Sequence, residues 1–143
     1  MTEPTASTGL ALTLADCKTS RWRMAIDRGQ FPDAPPTLPG NRQRAWHLKD
    51  IVKLKFFAMM MDAGMPASDA GQFAKQLEIG MLKDPEAREL GVWVKRHPKR
   101  KQAELLIRAE APDDTELLMM LPVGEWRRSI RAELHDHWRA EQR

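Results

Sequence analysis

The chain has 143 residues, 42% of them hydrophobic and 30% charged, which fits one folded domain or a small domain with an appendage and argues against wholesale disorder. The formal net charge of +3 is modest, and the single cysteine, Cys17, excludes an intramolecular disulfide and any multi-cysteine metal site. No apolar run approaches the roughly 18 residues of a membrane span and no basic flank leads into an apolar leader, so neither membrane insertion nor secretion is expected and a reducing cytoplasm is the expected compartment.

Charge is distributed unevenly. Lys18 to Lys55 holds nine Lys or Arg against three Asp, whereas Asp84 to Arg143 holds twelve of each sign. A local basic excess suits a phosphate-backbone partner, because neutralising phosphates releases counterions. By itself such an excess is as often a solvated face. Here it coincides with a motif.

In chain order, residues 1–9 are small and polar without periodicity and read as a mobile tail. Residues 10–15 are a short apolar run, expected as a first helix, with Asp16-Cys17-Lys18 as a turn. Thr19 or Ser20 caps a second helix to about Arg28, which Gly29 breaks. Trp22, Ala25 and Ile26 share one face of that helix, and Trp22 reads as core rather than as a base-stacking ring. Residues 31–39 are a proline-rich, extended connector, and Pro39-Gly40-Asn41 reads as the tip of a tight turn joining two short strands. Ile51, Leu54, Phe57 and Met60 recur at helical spacing, Asp50 supplies a first-turn acid, and Gly64 with Pro66 gives a stop, so a helix is expected over 49–63. Met59, Met60 and Met61 point in different directions and read as core filler, not a soft-metal site.

A helix over 66–82 follows, with Phe73, Ala74, Leu77 and Met81 on one side, and Asp84-Pro85 reads as the start of a short helix to Leu90 that Gly91 ends. Residues 92–94, 103–109 and 116–121 are apolar runs of strand length separated by turn chemistry, which predicts a three-stranded antiparallel meander. Because Leu117 to Leu121 is apolar without alternation, both faces of the last strand are expected to be covered. From Gly124 a final helix carries Trp126, Ile130, Leu134 and Trp138 every four residues, a stripe for the sheet or a second subunit. His135 and His137 are two apart on this helix and do not suit a shared metal.

The string Arg44-x-Trp46-x-x-x-Asp50-Ile51-x-x-Leu54-x-x-Phe57-x-x-Met60-x-x-x-Gly64-Met65 resembles the wing and following helix of MerR-type regulators and the related excisionases. Trp46 stands where that family more often has Tyr. Arg21-Trp22-Arg23 and the exit Gly29-Gln30-Phe31-Pro32 resemble its recognition helix, although Ala15-Asp16-Cys17-Lys18 departs from the usual approach and Met24-Ala25 from the usual aromatic. The resemblance covers roughly half the chain. It implies an α+β protein: an N-terminal winged helix-turn-helix over 10–82, then a small antiparallel β-meander and C-terminal helix over 83–143. It further implies double-stranded DNA as partner, with contacts from Lys18, Thr19, Ser20, Arg21, Arg23 and Arg28 of the recognition helix and from Arg42 and Arg44 of the wing.

The long dimerisation helix of MerR proteins is interrupted here by Gly80, Pro85 and Gly91, so homodimerisation is expected through residues 92–143 instead. Neither metal cysteines nor a drug pocket is apparent toward the C-terminus, which favours a nucleoid-associated repressor over an effector-gated activator, with no cofactor. The competing readings are an architectural factor, such as an excisionase or small terminase subunit, and an adaptor whose basic segment contacts an acidic protein. No Ser/His/Asp, Cys/His or paired-carboxylate arrangement and no Gly-rich phosphate loop stands out, so catalysis is not expected.

Overall fold

The computed structural model describes residues 3–40, 43–99 and 103–142. It is α+β, in the order α1 (Thr8–Ala15), α2 (Thr19–Asp27), α3 (Leu48–Asp62), α4 (Ala67–Lys83), β1 (Leu90–Lys95), β2 (Glu104–Arg108), β3 (Thr115–Leu121) and α5 (Val123–Glu141). The chain divides into two compact units, Met1–Ala74 with Arg127–Arg143, and Lys75–Trp126.

In the first unit α1 begins at Thr8, capped by Ser7, whose hydroxyl accepts from the Leu10 N–H at 3.3 Å. The helix ends where Asp16 takes a left-handed conformation and the Cys17 N–H returns to the Leu12 carbonyl at 2.9 Å. Lys18, not Thr19 or Ser20, is the residue before α2, and its side chain makes no capping hydrogen bond. Gly29, at φ +63°, lets the Gln30 N–H reach the Ala25 carbonyl at 2.8 Å and closes α2.

Residues 3–9 are not the free tail that their composition suggests. Ala6 is buried and exchanges two backbone hydrogen bonds with Trp46, at 2.9 and 2.8 Å, while the Trp46 indole N–H donates to the Thr8 hydroxyl at 2.9 Å. Trp46 is fully buried, and its ring meets Trp22 edge-on at 5.1 Å between centroids. Phe31 joins them, 5.3 Å from Trp22 and 5.2 Å from Phe57. One aromatic cluster thus binds α2, the proline-rich connector and α3, and T-shaped pairs of this kind contribute about 0.5–1.5 kcal/mol each beyond their buried area.

The pair of short strands expected around Pro39 is reduced to a single bridge between Thr37 and Arg44, closed by a Leu38 N–H to Gln43 carbonyl hydrogen bond at 2.7 Å. Prolines leave few N–H groups for a longer ladder. Helix α3 starts as its residues dictate: the Asp50 carboxylate accepts from the His47 N–H at 3.0 Å. It is buried nearly all round, including Lys53, which is 2% exposed. Its ammonium donates to the Pro32 and Asp33 carbonyls at 2.7 and 3.3 Å and stands 4.9 Å over the Phe31 ring. Those partners make burial of the cation tolerable and tie the connector to α3. On α4 a Cβ at Gly71 would lie 2.0 Å from the Gln30 carbonyl oxygen, so a backbone crosses where only glycine fits.

In the second unit the strands are antiparallel but not a meander: the order is β2-β1-β3, with β1 in the centre. Leu90 and Val92 of β1 are buried, and Ile107 of β2 lies opposite Val92, so the most enclosed strand takes the middle. The short helix expected over 85–90 is absent. Residues 84–87 make a turn, with the Ala87 N–H on the Asp84 carbonyl at 3.2 Å, and Leu90 and Gly91 already belong to β1. A helix of barely one and a half turns cannot offset its nucleation cost. Gly91 gives room to the Trp93 indole, which lies 2.6 Å from where a Cβ would stand and donates to the Arg108 carbonyl at 3.1 Å.

The expected covering of both faces of β3 is also overturned. Leu121 is buried, yet Glu116 through Met120 are all exposed. Of the α5 stripe, Ile130 and Leu134 are buried, Trp126 is half-buried and Trp138 is exposed.

Trp46→Ala should lower the unfolding free energy by about 3–5 kcal/mol in chemical denaturation, since it empties the centre of the cluster and removes the indole donor to the Thr8 hydroxyl; a loss within error would show the ring to be dispensable. Gly71→Ala should destabilise, because the clash outweighs the roughly 1 kcal/mol that alanine gains over glycine in a helix. Gly9, with nothing within 4 Å of its would-be Cβ, is the control at which alanine should be neutral or stabilising.

Candidate nucleic-acid interface

Burial of Trp22 and Ala25 sets the rotation of α2 about its axis. With that side turned inward, Ser20, Arg23, Met24 and Asp27, spaced at i, i+3, i+4 and i+7, form an exposed outer stripe. Thr19 is exposed one turn from Arg23, and exposed Lys18 and Arg28 bracket the helix at its two ends. Five of the eight residues singled out from the sequence, Lys18, Thr19, Ser20, Arg23 and Arg28, are therefore open on one short helix. Met24 and Asp27 belong to the same stripe but were passed over; their helical offset from Ser20 was the available signal.

Arg21 and Arg44 are placed differently. Arg21 forms an ion pair with Asp62, the last residue of α3. A carboxylate at a helix C-terminus is opposed by the helix dipole, and the guanidinium relieves that conflict. Both groups are partly exposed, so the pair contributes at most about 1 kcal/mol. Arg44 donates from Nη1 to the Pro35 carbonyl and is half-buried, which holds the Thr37–Arg44 loop against the connector. Arg42, the other residue assigned to the loop, lies outside the described residues. The four arginines on which DNA contact was expected to rest thus do not form one free cluster: Arg23 is open, while Arg21 and Arg44 have partners within the chain.

Cys17 sits in the turn between α1 and α2, buried, with its thiol directed to the Lys18 carbonyl at 3.7 Å. Burial pushes its pKa up to about 11, helped by the Asp62 carboxylate and opposed by Arg21. The protonated thiol packs well and is a poor nucleophile or metal ligand. Among the described residues no three His, Cys, Asp or Glu side chains are grouped to hold a metal ion, and no helix is long and apolar enough to cross a membrane.

What the fold and site define is an α+β chain that presents a short helix with an exposed, mixed polar and basic stripe. The chain matches no protein-family model and no curated protein.

The native thiol should alkylate far more slowly at pH 8 than the thiol of the urea-unfolded chain, since a pKa near 11 in place of 9.0 leaves about 100-fold less thiolate. The folded pKa lies above the unfolded one, so the stability this group contributes is complete below pH 9 and is lost as pH rises toward 11. Equal alkylation rates in the two states would contradict the burial.

Proposed function

We propose that this chain is a sequence-specific double-stranded DNA-binding protein of regulatory, repressor-like type, acting as a homodimer, with α2 as its reading element. The observation that carries the reading is the outer stripe of α2. Arg can pair bidentately with a guanine edge, Asp can accept from a cytosine amino group, Ser serves either role, and Met offers an apolar surface to a thymine methyl. An α-helix of this width fits the major groove. Lys18 and Arg28 lie at the ends of the helix, where phosphate contacts would fix its register without reading sequence.

Arg21 and Arg44 take a supporting part in this account. Arg21 orients α2 on α3, and Arg44 braces the loop against the connector. The resemblance of the Arg44 to Met65 string to the wing and following helix of MerR-type regulators supports duplex DNA as the partner, although Arg44, from which it implies a DNA contact, here braces the Pro35 carbonyl. The local basic excess supplies the affinity that does not depend on sequence.

Selection from a pool of random duplexes, repeated at two salt concentrations, tests the proposal. A preferred site should emerge. Arg23→Ala should cost about 1–3 kcal/mol at that site and relax preference at one base position. Lys18→Ala and Arg28→Ala should weaken binding to all sequences alike and reduce the salt slope by about 1 each. Failure to retain any duplex at low salt would sink the reading. Uniform loss across sequences for Arg23→Ala would remove the assignment of readout to α2.

A further inference from the structure

The one acid of α2 stands where the fold gives it least reason to be. Asp27 is the last residue of the helix and is exposed, and a helix C-terminus opposes a carboxylate. Asp62, which ends α3 in the same way, is answered by Arg21. Asp27 has no such answer: among the described residues no hydrogen bond or ion pair holds its carboxylate, although Arg23 stands one turn before it. It also shares the outer stripe with Ser20 and Arg23, the side of α2 that the DNA-binding reading turns to the duplex. A carboxylate that meets phosphates weakens binding to every sequence. It is compatible with a duplex only where it meets a hydrogen-bond donor, and in the major groove those donors are the amino groups of cytosine and adenine.

We infer that Asp27 is a second specificity-determining residue of α2 and that, with Arg23, it sets the core of the recognised site as a guanine and a cytosine at successive base pairs; this rests on the DNA-binding reading and deepens it. On a helix lying in the major groove, residues three or four apart meet successive bases, and Ser20, Arg23 and Asp27 have that spacing. Arg23 donates to O6 and N7 of the guanine, and Asp27 accepts from N4 of the cytosine one pair along. Neighbouring side chains of opposite charge thus face neighbouring bases of opposite hydrogen-bonding character. Each is also wrong for the other's base. A carboxylate set against guanine O6 and N7, or against thymine O4, meets acceptors alone and gives up its water without a replacement. Adenine does carry an amino group, but its N7 acceptor lies alongside and repels the second carboxylate oxygen, whereas cytosine itself presents no acceptor in that groove. Ser20, able to donate or to accept, adds little preference on the far side of the guanine.

Selection from random duplexes by the full chain and by two Asp27 variants separates this inference from the reading beneath it. The wild-type chain should select a guanine with cytosine at the next position. Asp27→Ala should keep the guanine and lose the cytosine, with discrimination at that one position falling by about 5- to 150-fold. Asp27→Asn should move the same position from cytosine to adenine, whose N6 and N7 suit an amide. Asp27→Ala should melt at or above the wild-type temperature, because the fold does not use the carboxylate. If Asp27→Ala instead tightens binding to all duplexes alike and the selected sequence stays the same, the carboxylate faces phosphates and the inference is overturned, while α2 still reads through Arg23. A selected site that neither variant alters overturns it too, as does a melting temperature lowered by several degrees, which would assign Asp27 to the fold. Failure of the wild-type chain to select any sequence removes the DNA-binding reading and this inference with it.

Discussion

The enclosure of Trp46 is the constraint on which the N-terminal unit depends. Its ring is fully buried against Trp22 and Phe31, its backbone pairs with Ala6, and its indole N–H is satisfied by Thr8. Because a buried indole donor without a partner is costly, the Thr8 hydroxyl selects one orientation of the ring, and the ring in turn fixes where Trp22 can lie. The position of Trp22 sets the rotation of α2. Which residues of α2 look outward is therefore decided at a site some twenty residues further along the chain.

The same logic sorts the cations. A basic segment read as charge alone treats Arg21, Arg23, Arg44 and Lys53 as equivalent, yet each does something different. Lys53 is buried on carbonyls beneath the connector, Arg44 braces a proline carbonyl, Arg21 answers the carboxylate at the end of α3, and Arg23 faces out. Three of these four place their charge on the chain's own oxygens, two of them on backbone carbonyls freed by a proline-rich segment that cannot form a regular ladder. Charge near the proposed interface is thus partly architectural.

The sheet makes a contrasting point about apolar residues. Consecutive leucines and methionines ordinarily signal burial on both sides, and on β3 they do not. Taking the central place in the sheet, β1 draws Leu90 and Val92 inward, while β3 is left at the rim with a bulge that turns its side chains both ways. An edge of this composition is unstable against pairing, whereas β2 is blunted by charge.

Local chemistry was sufficient for the longer helices, though not for the 85–90 helix it suggested or the strands it suggested around Pro39. Helical spacing from Ile51 to Met60, the Asp50 acid, the Gly29 and Gly64 stops and the 66–82 periodicity each placed a helix within a residue or two, because backbone propensity and capping are short-range. Trp22 as core followed from the helical period, and the three strands from apolar runs bounded by turn residues. What the local pattern could not contain was pairing: Ala6 on Trp46, β1 between its neighbours, Arg21 on Asp62 forty-one positions away, and Gly91 inside a strand rather than after a helix. Each is a choice among partners distant along the chain, settled by which combination buries the rings and satisfies the buried donors at once. Residue period encodes that a side chain turns inward; only the assembled chain specifies what it meets there.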